Sequence, residues 1–166
     1  MNRQNARGGR GVDSLSATVE LAEPIQPGKA VIFRVVLENQ GRSVARKLNP
    51  ELRFLFSPAS DPFRPDYPPV DSFGKTRPVG TSSDLNPGAR TTLVSTSSLS
   101  LAHEHDVEAV TSGQRMLYLY GRASYFDVYE KQHELHLCRY YQPVPRAEPL
   151  KLNFCISYNE TVDPGS

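Results

Sequence analysis

Cys138 and Cys155 are the chain's two cysteines, and His136 stands two positions before the first of them. That spacing puts both side chains on one face of a strand. In QHELHLCRY the apolar Leu135 and Leu137 mark one face and send His136 and Cys138 to the other; in LNFCISY, Leu152, Phe154 and Ile156 do the same for Cys155. If the two strands pair, the three side chains share a face. Such a set admits four chemistries. Two partly buried, unpaired thiols are the plainest and the first expectation. A Cys138 to Cys155 cross-strand disulfide requires an oxidising compartment and demanding geometry. Zinc held with His136 wants a fourth ligand that no visible spacing supplies. Cys138 as nucleophile with His136 as base lacks an oxyanion site, because same-face neighbours on a strand do not build one.

The other candidates carry less. His103 and His105 flank Glu104 in a stretch with helical signals, but residues two apart on a helix point in different directions. A zinc-protease helix needs histidines four apart with a glutamate after the first, so these read as solvent-facing helix residues. Asp127, Glu130 and Glu134 fall in or beside a hairpin turn, where carboxylates meet solvent and cap backbone amides rather than form a catalytic dyad. No GxxxxGK[ST], GxGxxG or GxSxG occurs, so the glycines serve turns and not phosphates or a nucleophile elbow. On these grounds the expectation is a chain that is not an enzyme and needs no cofactor or metal. Tyr118, Tyr120, Tyr125, Tyr129, Tyr140 and Tyr141 crowd the closing strands. Tyrosine offers contact area with a polar tip, which suits a sheet face or a protein interface.

These side chains need a scaffold, and the sequence describes one. A chain of 166 residues allows one domain with a sizeable core. Its formal charge of +1 provides no field for nucleic acid or an anionic membrane surface. Fourteen prolines and eleven glycines with 38% hydrophobics describe a turn-rich β protein, and the absence of Trp removes the core tryptophan of an antibody domain. No apolar run approaches a membrane span and the first residues lack a secretion signal; direct membrane insertion by these residues is not expected. Residues 1–13 form a basic arm with Arg3, Arg7 and Arg10 among polar residues and glycines, too poor in apolar surface to offset its ordering entropy and read as disordered.

From Ser14 to Leu21 apolar and polar residues alternate, the pattern of a half-buried strand. Pro27-Gly28 then supplies a type II turn into a second strand, Lys29 to Glu38, apolar enough to lie inside its sheet. Asn39 to Gly41 closes it, and a third strand is expected near Leu52 to Phe56. Residues 57–86 form a long Pro-rich loop in which Phe63, Tyr67 and Phe73 offer anchoring or docking side chains. Asn86-Pro87-Gly88 repeats the turn device before a strand at Arg90 to Thr96, so that each of two sheets can receive one such strand. Ser100 reads as the N-cap of a short helix over Leu101 to Ser112, with Gly113 at its C-cap. Strands follow at Met116 to Tyr125, Gln132 to Tyr140 and Leu150 to Tyr158, and residues 161–166 read as a flexible polar tail. The fold expected is all-β: an immunoglobulin-like, two-sheet antiparallel sandwich of seven to nine strands with one short helix, spanning residues 14–160.

The combination of VIFRVVLENQGRSVARKL, a helix ending in TSGQ, LYLYGRASYFDVYEKQHELHLCRYY and CISYNETVD resembles a widespread group of uncharacterised bacterial proteins, in which a short membrane-anchored N-terminus precedes a single β-sandwich domain. The matching positions are Asn39, Gly41 and Ala45; Tyr120, Gly121, Tyr125 and Asp127; Cys138; and Tyr158 and Asn159. The resemblance covers the chain from Leu15 onward, least in the Pro-rich loop. The chain departs from the group in lacking the membrane segment and in the longer, charged turn after Asp127. The resemblance implies a fold and a context, with membrane tethering through a missing N-terminal segment, and no activity. The functional expectation is a non-enzymatic interaction module for another protein, with Phe63, Tyr67, Phe73, Tyr140 and Tyr141 as its surface. The alternatives are a structural or sensory accessory domain of a membrane-anchored protein, or a Cys/His-dependent enzyme or metal site.

Overall fold

Alternation of apolar and polar side chains from Leu15 onward builds the ladders it predicts. The structure, a computed structural model, describes residues 15–59, 83–100, 104–141, 152–156 and 158–163. Its elements are β1 (Leu15–Leu21), β2 (Ala30–Asn39), β3 (Ala45–Pro58), β4 (Ser83–Leu85), β5 (Arg90–Ser100), α1 (Glu104–Thr111), β6 (Arg115–Phe126), β7 (Gln132–Tyr141), β8 (Asn153–Phe154) and β9 (Thr161–Val162). The basic arm at 1–13, residues 60–82 of the Pro-rich loop with Phe63, Tyr67 and Phe73, His103, and residues 164–166 lie outside the described residues.

Two antiparallel sheets face each other. One runs β1-β2-β5, the other β4-β3-β6-β7-β8, with β9 also pairing β7. Among the described residues this is the expected all-β sandwich with one short helix. The inward residues of β2, namely Phe33, Val35 and Leu37, are fully buried against Leu117, Leu119 and Leu137 of the opposing sheet, each such side chain contributing about 1.5–3 kcal/mol. Phe33 and Phe54 meet across the sandwich with ring centroids 4.8 Å apart. Helix α1 seals one end by inserting Val107 and Val110 into the same core.

The Pro-Gly turns form as the sequence predicts, with Gly28 and Gly88 at φ 71 and 73, backbone that a type II turn demands and a side chain resists. They do not serve separate sheets. Both lead strands of the three-stranded sheet, where β2 is central and β5 its antiparallel neighbour. Asn39 explains the placement. Its backbone exchanges hydrogen bonds with the second turn (Gly88 N to Asn39 O, 2.8 Å; Asn39 N to Ala89 O, 3.1 Å). Its buried side chain donates to Ser43 O and Leu85 O, each at 2.8 Å, and accepts from Gly41 N at 2.9 Å. One asparagine thus clamps two turns, with its amide fully bonded, as burial requires.

Four other expectations are corrected. Ser100 ends β5 instead of capping the helix, which begins at Glu104. The third strand begins at Ala45, because β4, inside the stretch read as loop, pairs with it there. The closing strand shrinks to Asn153–Phe154, since Tyr158 turns to φ 67 and the Asn159 side chain, not a ladder, takes the next amide of β7. Thr161–Val162, in the segment read as a flexible tail, pairs with Leu135 and Glu134.

Candidate functional site

The outer face of the larger sheet collects the chain's chemistry in transverse rows, because register places one residue from each strand side by side. Leu55, Tyr118, Tyr140 and Asn153 form the first row; Arg53, Tyr120 and Cys138 the second; Glu51, Arg122 and His136 the third; Asn49, Ser124, Glu134 and Val162 the fourth. The inner face of β6 carries Leu117, Leu119, Gly121, Ala123 and Tyr125, so period 2 puts Tyr118, Tyr120 and Arg122 outward.

Cys138 and Cys155 are joined as a disulfide between β7 and the residue after β8, with Cα atoms 5.4 Å apart and a sequence separation of 17. Cys155 N also donates to Cys138 O at 3.3 Å. The expectation of two unpaired thiols is therefore corrected. The shared face was read properly, and direct pairing of the two strands brings the sulfurs together. Both sulfurs being bonded to each other, neither is available as thiolate or metal ligand without reduction. Among the described residues no cluster of three His, Cys, Asp or Glu side chains could hold a metal.

The third and fourth rows form an ionic chain. Arg122 Nε donates to Glu51 Oε2 at 2.5 Å and its Nη1 to Glu134 Oε1 at 2.7 Å; His136 Nε2 lies 3.1 Å from Glu134 Oε2. Glu51 and Glu134 are buried, and the guanidinium between them offsets two carboxylates at once. Glu134 was expected to meet solvent and instead serves this chain. A glutamate beside a histidine resembles the base half of a hydrolytic dyad, yet Cys138, the nucleophile on that face, is occupied by its bridge.

A second histidine cluster lies at the β6–β7 turn. His133 Nδ1 is 2.7 Å from Asp163 Oδ1 and its Nε2 is 3.1 Å from Asp127 Oδ2, while its ring stacks on Tyr125 at 5.3 Å. Asp127 caps the turn, accepting from Tyr129 N at 2.8 Å and Lys131 N at 2.9 Å; the capping is as expected, its burial is not. Burial pushes the Asp127 carboxyl up, but the Lys131 amide, His133 and the Tyr129 amide together outweigh it and hold it below its ordinary value. Lys131 first, then His133, hold the Asp163 carboxyl low as well. Depressed carboxyls bind fewer protons folded than unfolded, so their stabilisation is complete above the unfolded pKa near 4 and is lost as pH falls through the folded values. Thermal unfolding should therefore show Tm dropping between pH 5 and pH 2.5, on the order of that acid window, with a shallower drop in Asp127→Asn.

Arg139 is the least expected feature. It occupies the inward face of β7, beside Leu137 and Tyr141, and is buried. Its Nη1 donates to Cys138 O at 2.8 Å and to Asn159 Oδ1, its Nη2 reaches Ala17 O of β1 at 3.3 Å, and the Phe154 ring covers it with the centroid 3.6 Å from Cζ. Burial alone pulls this guanidinium down to about 10. Asn159 repeats the logic of Asn39: besides Arg139 it accepts from Cys138 N at 3.1 Å and donates to Cys155 O at 3.0 Å.

Of the tyrosines expected as an interaction surface, Tyr140 faces outward beside Tyr118, with ring centroids 6.0 Å apart, and Tyr141 packs against the core. Burial first, and then the neighbouring Tyr140 hydroxyl, push the Tyr118 phenol up. His105 is exposed on α1, and the side chain of Glu104 is outside the described residues. Sequence reasoning passed over His133, Arg139, Glu51, Arg122 and Asp163. A charged residue isolated between apolar neighbours, as Arg139 is between Leu137 and Tyr141 on its face, was the available signal.

No protein-family model matches this chain, and no curated protein sequence matches it. Among solved structures, the X-ray structure of a structural-genomics target, SoR45, is 11% identical, with 88% of this chain and 97% of that one covered at a TM-score of 0.41. A crystal structure of the Bordetella pertussis target BeR40, which carries a provisional ApaA designation, is 13% identical, with 81% and 97% covered at a TM-score of 0.43.

Proposed function

We propose that this chain is a non-enzymatic, immunoglobulin-like interaction module that meets another protein through the aromatic end of the larger sheet's outer face. The observation that carries this reading is the row Leu55, Tyr118, Tyr140 and Asn153. Leu55 is 38% exposed and the two tyrosines beside it are half-buried, so the row offers apolar area with hydroxyl tips already held by the sheet. Rigid aromatic side chains of this kind lose little entropy on binding. The histidine and carboxylate clusters, in contrast, spend their donors and acceptors within the chain.

An accessory role in a membrane-anchored protein is the second reading, favoured by the disulfide, which belongs to an oxidising compartment such as the bacterial periplasm. A photo-crosslinking phenylalanine tests the first reading in native cells, placed at Tyr140 or, as a control on the opposite sheet, at Val94, which is 59% exposed. The reading expects a single adduct of defined mass from position 140 and none from position 94. Equal labelling at both positions, or none at 140, contradicts it.

A further inference from the structure

The segment from β8 onward is fastened along the outer edge of β7 and forms a strap, residues 153–156 and 158–163 of the described chain. Its own ladder is minimal, two residues in β8 and two in β9. The other ties are discrete: the Cys138–Cys155 bridge, the Asn159 side chain on Cys138 N, His136 N donating to Glu160 O at 2.9 Å, and Asp163 on Lys131 Nζ at 2.5 Å and His133. The bridge is asymmetric in its access to solvent. Cys138 is fully buried, whereas Cys155 is half-buried between two of the most exposed apolar residues, Phe154 at 66% and Ile156.

We propose that Cys155 Sγ is a thiol-exchange site for a dithiol reductant, and that opening the bridge there loosens the strap from the edge of β7. An incoming thiolate forms a bond to Cys155 Sγ and breaks the Sγ–Sγ bond, expelling Cys138 as a thiolate that takes up a proton. The reductant's second thiol, as thiolate, then attacks its own sulfur in the mixed disulfide and expels Cys155. The two cysteines gain two electrons and two protons, and the dithiol becomes a disulfide. Attack on Cys138 is disfavoured because its sulfur has no path to solvent, and exposure governs which sulfur exchanges. Once the covalent tie is lost, the strap's remaining ties support one another and open as a local unit while the two-sheet core persists.

The experiment has two readouts on the intact oxidised protein. Brief exposure to glutathione, a monothiol, followed by alkylation and trypsin, separates the cysteines by cleavage after Arg139 and Lys151. The glutathione adduct is expected on the Cys155 peptide. An adduct on the Cys138 peptide, or none before the protein unfolds, overturns the exchange site. Hydrogen exchange with and without dithiothreitol then reads the strap. The amides of His136 and Cys138 should exchange roughly tenfold faster after reduction, with those of Val35 and Leu37 in β2 unchanged. An unchanged rate at His136 and Cys138, or an equal rise in β2, overturns the strap. The double variant Cys138→Ser, Cys155→Ser should reproduce the reduced pattern without reductant; should it not fold, native reduction alone decides.

Discussion

Gly121→Ala is expected to cost about 3 kcal/mol in urea unfolding at pH 7, or to prevent folding. Gly121 lies in the middle of β6, between Leu52 of β3 and Leu137 of β7. A Cβ there would overlap the Glu51 carbonyl oxygen and stand 2.9 Å from both Leu52 Cα and Leu52 Cδ2. Two of these three atoms are backbone of the neighbouring strand, so no rotamer change relieves the overlap. The strand itself must move, and β3 carries both the ionic chain and part of the core. Gly88→Ala is the control. Its Cβ meets nothing within 4 Å and its φ is +73, so its cost comes from backbone conformation alone, about 1–2 kcal/mol. If the two variants lose stability equally, close strand approach is not what Gly121 supplies.

Arg122→Met is expected to destabilise by about 3–5 kcal/mol, the range for removing one member of a buried ionic group. The substitution keeps most of the side-chain volume and removes the cation. Glu51 and Glu134, which flank Arg122 at 2.5 and 2.7 Å, are then left buried and alike in charge without the cation they share, with His136 Nε2 still 3.1 Å from Glu134. The effect belongs to charge and not to packing. Adding Glu51→Gln and Glu134→Gln to Arg122→Met should therefore recover part of the loss, because neutral amides carry a smaller burial penalty. A loss under about 1 kcal/mol in Arg122→Met, as for an exposed pair, would mean that solvent screens the row.

How much of this was legible depends on the range of the interaction. Strands β1, β2, β5, β6 and β7 declare themselves through alternation and turns, since a period and a Pro-Gly pair are local features. The shared face of Cys138 and Cys155 was legible for the same reason, and only the pairing of β7 with β8 was missing to convert it into a bridge. The end of the last strand was not legible. It depends on Asn159 reaching Cys138 N and Arg139, residues 21 and 20 positions away. The ionic chain was hidden more thoroughly, because Glu51, Arg122 and Glu134 meet only when three strands take one register. His133 was overlooked since its partners, Asp127 and Asp163, stand on opposite sides of it in sequence, the latter in a segment read as a tail. The aromatic row is an intermediate case: tyrosine density was visible, but only register sets outward Tyr140 beside Tyr118 and Leu55.

Across these elements, His133, Glu134, His136 and Cys138 all bond within the sandwich, and the disulfide is the clearest instance. Its direct test is a count of free thiols in protein purified without reductant and unfolded in the presence of an alkylating agent, read by intact mass. The bridge requires no alkylated cysteine and a mass two hydrogens below that of the reduced chain. Two alkylated cysteines would contradict it, returning Cys138 and His136 to candidacy as a thiol site and removing the covalent tie on which the strap depends.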